Sequence, residues 1–163
     1  MRWFIADTHF NHTNVISYDN RPFRDTKHME DEIVSKWNNT VRADDIVYHL
    51  GDFGFGPLEV QKAILGRLNG TKILIRGNHD GGQARNERMG WNFVCDGMLI
   101  NLSGIDIWLV HDPSRMPTFC SLVHGHTHKH SDRPNSLCVS CNLHNYLPVS
   151  EKLVIKHLNR SIQ

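Results

Sequence analysis

Apolar positions in the first half of the chain follow two rhythms. Short runs at residues 3–6, 45–50 and 72–76 stop abruptly at Asp, Gly or Asn, and the last two are rich in Ile and Val. That pattern reads as buried strands. Between them, Met29, Ile33, Val34, Trp37 and Val41 recur at helical spacing. Asp25-Thr26 can cap this helix, with Glu30, Asp31 and Glu32 near its start. Pro57 opens a second helix whose inner face is Leu58, Ala63, Ile64 and Leu68, closed by Asn69-Gly70. A strand–helix–strand–helix–strand order implies a parallel sheet. In such sheets ligands bind beyond the carboxyl ends of the strands.

The second half changes character. Residues 98–102 and 106–110 flank Ser103-Gly104-Ile105 as a hairpin, and residues 122–124, 137–142 and 153–157 read as further strands. Few helical stretches separate them, so antiparallel or mixed pairing is expected. Residues 127–135, polar and containing Pro134, are the most loop-like. The pattern predicts an α/β domain spanning residues 1–163: two sheets packed face to face with helices outside.

Composition narrows the classes. Eighteen Lys and Arg against seventeen Asp and Glu leave a formal charge of +1, with the basic residues scattered. This gives no case for tight non-specific nucleic-acid binding, although a nucleotide substrate stays open. No apolar run reaches membrane-span length, and residues 3–6 are too short for a secretory core, so a cytoplasmic protein is expected. The four cysteines are expected as reduced structural thiols. Cys138 and Cys141, with His144 nearby, could be half of a zinc site, but the second knuckle is missing.

The chemistry sits at the ends of the apolar runs. Five motifs follow them in order: Asp7-Thr8-His9, Gly51-Asp52, Gly77-Asn78-His79-Asp80, His111, and Gly125-His126-Thr127-His128. They offer carboxylate, amide and imidazole donors without thiolate, which suits manganese, iron, nickel or zinc better than calcium. Seven donors are too many for one tetrahedral ion. Two ions sharing a carboxylate, roughly 3.5–4 Å apart, fit the count and suit in-line attack at phosphorus. A lone histidine at a strand end is usually just a hydrogen-bonding residue, and there are twelve histidines. The joint occurrence of five motifs carries the reading.

These motifs resemble the signature of the calcineurin-like metallophosphoesterase superfamily, present in order from Asp7 to His128, about three quarters of the chain. The opening Asp7-Thr8-His9-Phe10-Asn11-His12, with Arg21-Pro22-Phe23, is similar to small bacterial and phage members. The resemblance implies a four-layer αββα sandwich of two mixed sheets with flanking helices. It implies two divalent ions, manganese first, with nickel, iron, zinc or magnesium as alternatives. One would take Asp7, His9, Asp52 and His128, the other Asp52, Asn78, His111 and His126. His79 would be the acid or transition-state stabiliser, with Asp80 orienting it or holding the loop. A water activated by the ions would attack phosphorus.

Other residues carry two readings each. Asn11 and His12 could touch the substrate phosphate or serve as loop and capping residues. Arg21 could fork onto a phosphate or be an ordinary surface arginine. Arg76 is expected to pair with a carboxylate, His49 and His124 to be satisfied buried histidines, and Asn145-Tyr146 to border the pocket. Phe53, Phe55 and Trp91 could stack on a base, but read as core or rim residues, core first. The expected activity is a phosphodiesterase acting on small or nucleotide phosphoesters. The alternatives are a phosphomonoesterase or nuclease on the same site, or a non-catalytic scaffold of the same fold. Oligomeric state is not legible.

Overall fold

The computed structural model describes residues 1–160. The chain runs β1 (Arg2–Ile5), α1 (Thr13–Tyr18), α2 (Thr26–Thr40), β2 (Ile46–His49), α3 (Leu58–Gly66), β3 (Thr71–Ile75), α4 (Gln83–Met89) and β4 (Phe93–Cys95). It continues β5 (Met98–Leu102), β6 (Ile105–Leu109), β7 (Leu122–His124), β8 (Ser136–Cys138), β9 (Val149–Ser150) and α5 (Glu151–Arg160). One sheet has the order β4-β3-β2-β1-β9, parallel except for β9. The other has the order β5-β6-β7-β8, with β5–β6 antiparallel and the rest parallel. Two mixed sheets flanked by five helices make the expected α/β architecture.

Alternation along the strands builds two cores. Ile5, Val47 and Leu74 face Met29, Ile33, Trp37, Ile64 and Leu65 of α2 and α3. Their neighbours Phe4, Tyr48 and Ile75 face the other way, against Ile107, Leu109, Val123 and Leu137 of the second sheet. The period-2 geometry of a strand dictates this division. Asp25 caps α2 as expected, its carboxylate accepting the His28 N–H at 2.7 Å. Pro57 stands just before α3, at its N-cap.

The strand expected at residues 153–157 is a helix. In α5, Val154 and Leu158 lie four apart and are fully buried against the inter-sheet core, whereas Leu153 is 46% exposed. The β-branched look of Leu153-Val154-Ile155 yields to an i, i+4 stripe that packs. Ser150 Oγ accepts the Leu153 N–H near its start. The strand expected at residues 137–142 is shorter, ending at Cys138. The chain then crosses to the first sheet, where Ala6 N–H donates to Val139 O and Cys141 N–H donates to Ala6 O, both at 2.9 Å. That crossing joins the sheets beside the end of β1.

Candidate metal centre

All five motifs emerge from the carboxyl ends of parallel strands. Asp7 and His9 follow β1, Asp52 follows β2, Asn78 follows β3, His111 follows β6, and His126 and His128 follow β7. The backbone turns sharply there. Asp7, His9, Asp52, His126 and His128 all adopt left-handed conformations, with φ of 56°, 50°, 58°, 71° and 53°. Each such non-glycine residue costs on the order of 1 kcal/mol, although Asp and His tolerate the region better than most. Backbone hydrogen bonds hold the strained turns: Asp7 N–H donates to Gly51 O at 3.0 Å and His9 N–H to Asp52 O at 3.1 Å. Among the described residues, five of the ten non-glycine residues at positive φ lie at these strand ends, as a candidate functional site would concentrate them.

Two glycines are required by close approach. A Cβ on Gly125 would lie 2.6 Å from Ala6 Cβ and 2.7 Å from Asp7 Oδ2. Gly51, at φ +88°, has Gly77 N where its own Cβ would point, at 2.6 Å. These contacts let the loops of different strands meet.

The side chains then converge. Asp7, His9 and His128 form one compact group, and Asp7, Asp52 and His111 a second. His9 Nε2 lies 3.2 Å from His128 Nε2, which is 3.5 Å from Asp7 Oδ1. His111 Nε2 lies 3.1 Å from Asn78 Oδ1 and 3.2 Å from His126 Nδ1, while that nitrogen is 3.1 Å from Asn78 Oδ1. Asp7 is common to both groups, and Asp52 Oδ2 of the second lies 3.5 Å from His111 Nε2 and reaches within 3.8 Å of His9 Nε2 of the first. His79 approaches the same oxygen at 4.0 Å, and its backbone N–H donates to Asp52 Oδ1 at 3.0 Å.

Proton placement tests whether these residues suit a cation. His111 Nδ1–H donates to the Leu50 carbonyl at 2.7 Å, leaving Nε2 as the lone-pair nitrogen. That lone pair faces an amide oxygen, another imidazole nitrogen and a carboxylate. His128 Nδ1–H likewise donates to Asp19 Oδ2 at 2.7 Å, turning Nε2 towards His9 and Asp7. Electron-rich oxygens and nitrogens of Asp7, His9, Asp52 and His111 thus crowd together in the buried part of the site, beside the more exposed Asn78 and His126. A divalent cation in each group would satisfy them, so the donor set fits the metals that its chemistry implies.

The electrostatics separate groups that are already neutral from groups that a cation would have to deprotonate. Burial lowers His9 to about 3, which keeps its ring neutral. Burial opposes ionisation of Asp7, yet hydrogen bonds and charge from His128, with Ser140, bring it down to about 2. Burial raises Asp52. For His128, burial alone would lower the pKa, but hydrogen bonds to Asp19 and Asp7 outweigh it and raise it to about 9.

A family model described as calcineurin-like phosphoesterase matches residues 2–137. The chain belongs to this family. It is 37% identical to an uncharacterised protein of Methanocaldococcus jannaschii, over 97% of this chain and 91% of that one. A shorter match, 34% identical, links 48% of the chain to 39% of the gene 66 protein of Mycobacterium phage L5. Among solved structures, a protein of unknown function from Aquifex aeolicus shares the fold with a TM-score of 0.75. It is 27% identical, over 96% of this chain and 98% of that one.

Several residues outside the family signature shape this calcineurin-like phosphoesterase. Arg21 is buried rather than free to grip a phosphate. Its Nη2 donates to Asp7 O and its Nη1 to Thr8 O, both at 2.9 Å, and its Nε and Nη2 donate to Asp19 Oδ2. The guanidinium is a clamp on the first motif because that turn leaves two carbonyls to which no strand partner donates. Asp19 links this clamp to His128. Sequence reasoning missed it: a single Asp in a turn, 109 residues from His128, carries no spacing signal.

Asp80 was expected either to orient His79 or to hold the loop. Its carboxylate takes the N–H groups of Asp52, Phe53 and Gly77 at 2.7–2.8 Å, which is the loop-holding arrangement. Thr8 Oγ1 donates to Phe53 O at 2.7 Å and lies 3.0 Å from His49 Nε2, tying the first two motifs together below the site. His124 Nδ1 lies 2.8 Å from Gly125 O. Arg76 pairs with Asp96 at 2.5 Å. Asn11 sits in a left-handed turn, and His12 occupies the N-cap of α1 without a side-chain cap bond. Tyr146 does not border the pocket: its ring is buried against Phe23 and beneath Arg21. The cysteines are free thiols, and Cys141 Sγ donates to Asp7 O at 3.2 Å.

Two cavities open onto the centre. One, of about 380 Å³, reaches from His9, Asp52, Asn78, His79, His126 and His128 to His12, Val15, Tyr18 and Asp19. The other, of about 300 Å³, runs from Asn78, His111 and His126 to Arg76, Asp96, Asp112 and Arg115.

Proposed function

We propose that the chain hydrolyses phosphodiesters at a site holding two divalent ions, manganese foremost. Asp7, His9, Asp52 and His128 would hold one, and Asp52, Asn78, His111 and His126 the other. The observation that carries this reading is the reach of Asp52 Oδ2 to both donor sets, within 3.8 Å of a nitrogen from each. When bound, such ions offset charge on the phosphate oxygens and acidify the attacking water.

The chain's own groups do the rest. His79 is half exposed, with its side chain 47% accessible, beside the shared carboxylate. A protonated ring there can donate to the departing oxygen or to a charged oxygen of the transition state. Asp80 fixes the loop that presents it. Asn78 contributes a neutral donor, which limits the negative charge that a phosphate must approach. Two cavities that meet at Asn78 and His126 leave room for two ester substituents, which favours a diester over a monoester.

Metal analysis and turnover of bis(p-nitrophenyl) phosphate against p-nitrophenyl phosphate test the reading together. Two ions per chain and preference for the bis-ester are expected. Asp52→Asn should lose metal and turnover together. His79→Ala should keep both ions and slow turnover by roughly 10²–10⁴-fold. Protein that binds no metal, or hydrolyses neither ester when loaded, would contradict the proposal.

A further inference from the structure

Beyond the ligand cluster, the larger cavity ends in a patch of rings that the chemistry of metal binding does not require. His12 stacks on Phe55 with centroids 4.4 Å apart and planes 19° apart. Phe55 also tilts against His79 at 5.2 Å, so one aromatic pedestal carries the rings of both histidines. Tyr18, the last residue of α1, meets the edge of His12 at 6.3 Å. Its own ring is 73% exposed, beside the buried Val15 on the same cavity wall.

An exposed aromatic ring at the mouth of a cavity is an open stacking surface. The two cavities also differ in a way that assigns direction. The smaller one is lined by Arg76, Asp96, Asp112 and Arg115, four charged side chains suited to a polar substituent. Only the larger one leads from the ligand cluster and His79 to apolar and aromatic groups. A phosphate seated at its floor would direct one ester substituent along His12 towards Val15 and Tyr18.

From this juxtaposition we propose that Tyr18, with His12 and Phe55 behind it, forms a stacking subsite for a planar aromatic substituent of the phosphoester, of the size of a nucleobase. The inference rests on the phosphoester reading above and narrows it to substrates carrying a base on the substituent next to His79. Stacking on a ring tolerates any base, because every base presents a π-face. The subsite therefore confers preference for nucleotides as a class without selecting among them.

The test compares adenosine 5′-monophosphate with ribose 5-phosphate, which lacks the base, as ligands of the manganese-loaded protein in titration calorimetry. Turnover of bis(p-nitrophenyl) phosphate is followed in parallel. Adenosine monophosphate should bind roughly tenfold more tightly than ribose 5-phosphate, in keeping with one base–ring stack. That ratio should fall towards one in Tyr18→Ala and survive in Tyr18→Phe, which keeps the ring. Equal affinities in the unmodified protein, or an undiminished ratio in Tyr18→Ala, would overturn the subsite. So would absence of adenosine monophosphate binding while the diester is still hydrolysed, and this would leave the phosphoesterase reading standing. Loss of both binding and hydrolysis would overturn that reading and the subsite with it.

Discussion

Asp19 shows how far a single side chain outside the motifs can control the centre. It accepts from His128 on one side and from Arg21 on the other, while Arg21 grips the carbonyls of Asp7 and Thr8. A carboxylate behind a ligating imidazole fixes its tautomer and raises its basicity. Asp19→Asn keeps the shape but removes the charge. It should weaken metal binding on the order of tenfold or more, read by competition with a chromogenic chelator. Unchanged affinity would show that Asp19 serves Arg21 alone.

His49 yields a pH prediction. Burial pushes its pKa down to about 4, from an unfolded value near 6.5. Between those values the unfolded chain takes up a proton that the folded chain refuses. Stability therefore rises with pH across this window and is lost as pH falls through it. The difference amounts to about 3 kcal/mol for this residue. His49→Gln can still donate to Thr8 and should flatten that part of the metal-free protein's stability between pH 6.5 and 4. Urea unfolding at several pH values measures it, and parallel profiles for both proteins would refute it.

At the scale of elements, α5 is where pattern and packing disagree. The run 153–155 has strand composition, but the fully buried residues are Val154 and Leu158, with Ile155 packing at the edge, and a helix brings that pair onto one face. Intrinsic β preference is worth about 1 kcal/mol or less, whereas burying one leucine is worth about 1.5–3 kcal/mol, so packing decides. Leu158→Ala should destabilise by about 2–5 kcal/mol and leave metal content per folded chain intact. Loss of metal without loss of stability would mean that α5 supports the centre directly. The shortened β8 follows a related logic: residues 139–141 keep extended pairing, but with Ala6 across the join between sheets. A strand that changes partner looks continuous in sequence.

At the scale of the whole molecule, the candidate centre is a place where carboxylate, amide and imidazole groups crowd together and left-handed turns are held against their preference. Cations would relieve the first and lock the second, so metal binding and folding should be linked. Manganese at about 100 times its dissociation constant should add about 2.7 kcal/mol of stability, raising the melting temperature by roughly 5–10 °C. A chelator should reverse the shift in differential scanning calorimetry. An identical melting temperature with and without metal would be incompatible with a centre built by convergence.

Sequence and fold thus divide the information by range. The donor residues, their order and the strands they follow are local, because a strand end, its glycine and its ligand lie within a few positions. Asp7-Thr8-His9 and Gly125-His126-Thr127-His128 could be read for that reason. The parallel first sheet was equally legible, since the strand–helix alternation is local too. The backs of the ligands were not. Asp19 behind His128, Arg21 turned inward to two carbonyls, and the Tyr18 ring at the cavity mouth depend on which loops the sheets bring together. The Asp19–His128 contact spans 109 positions, and Arg21 reaches Asp7 from 14 positions away through an irregular turn, so no periodicity betrays either. Burial and hydrogen-bond satisfaction are properties of the assembled chain, so tertiary structure alone decided whether an arginine faces substrate or backbone.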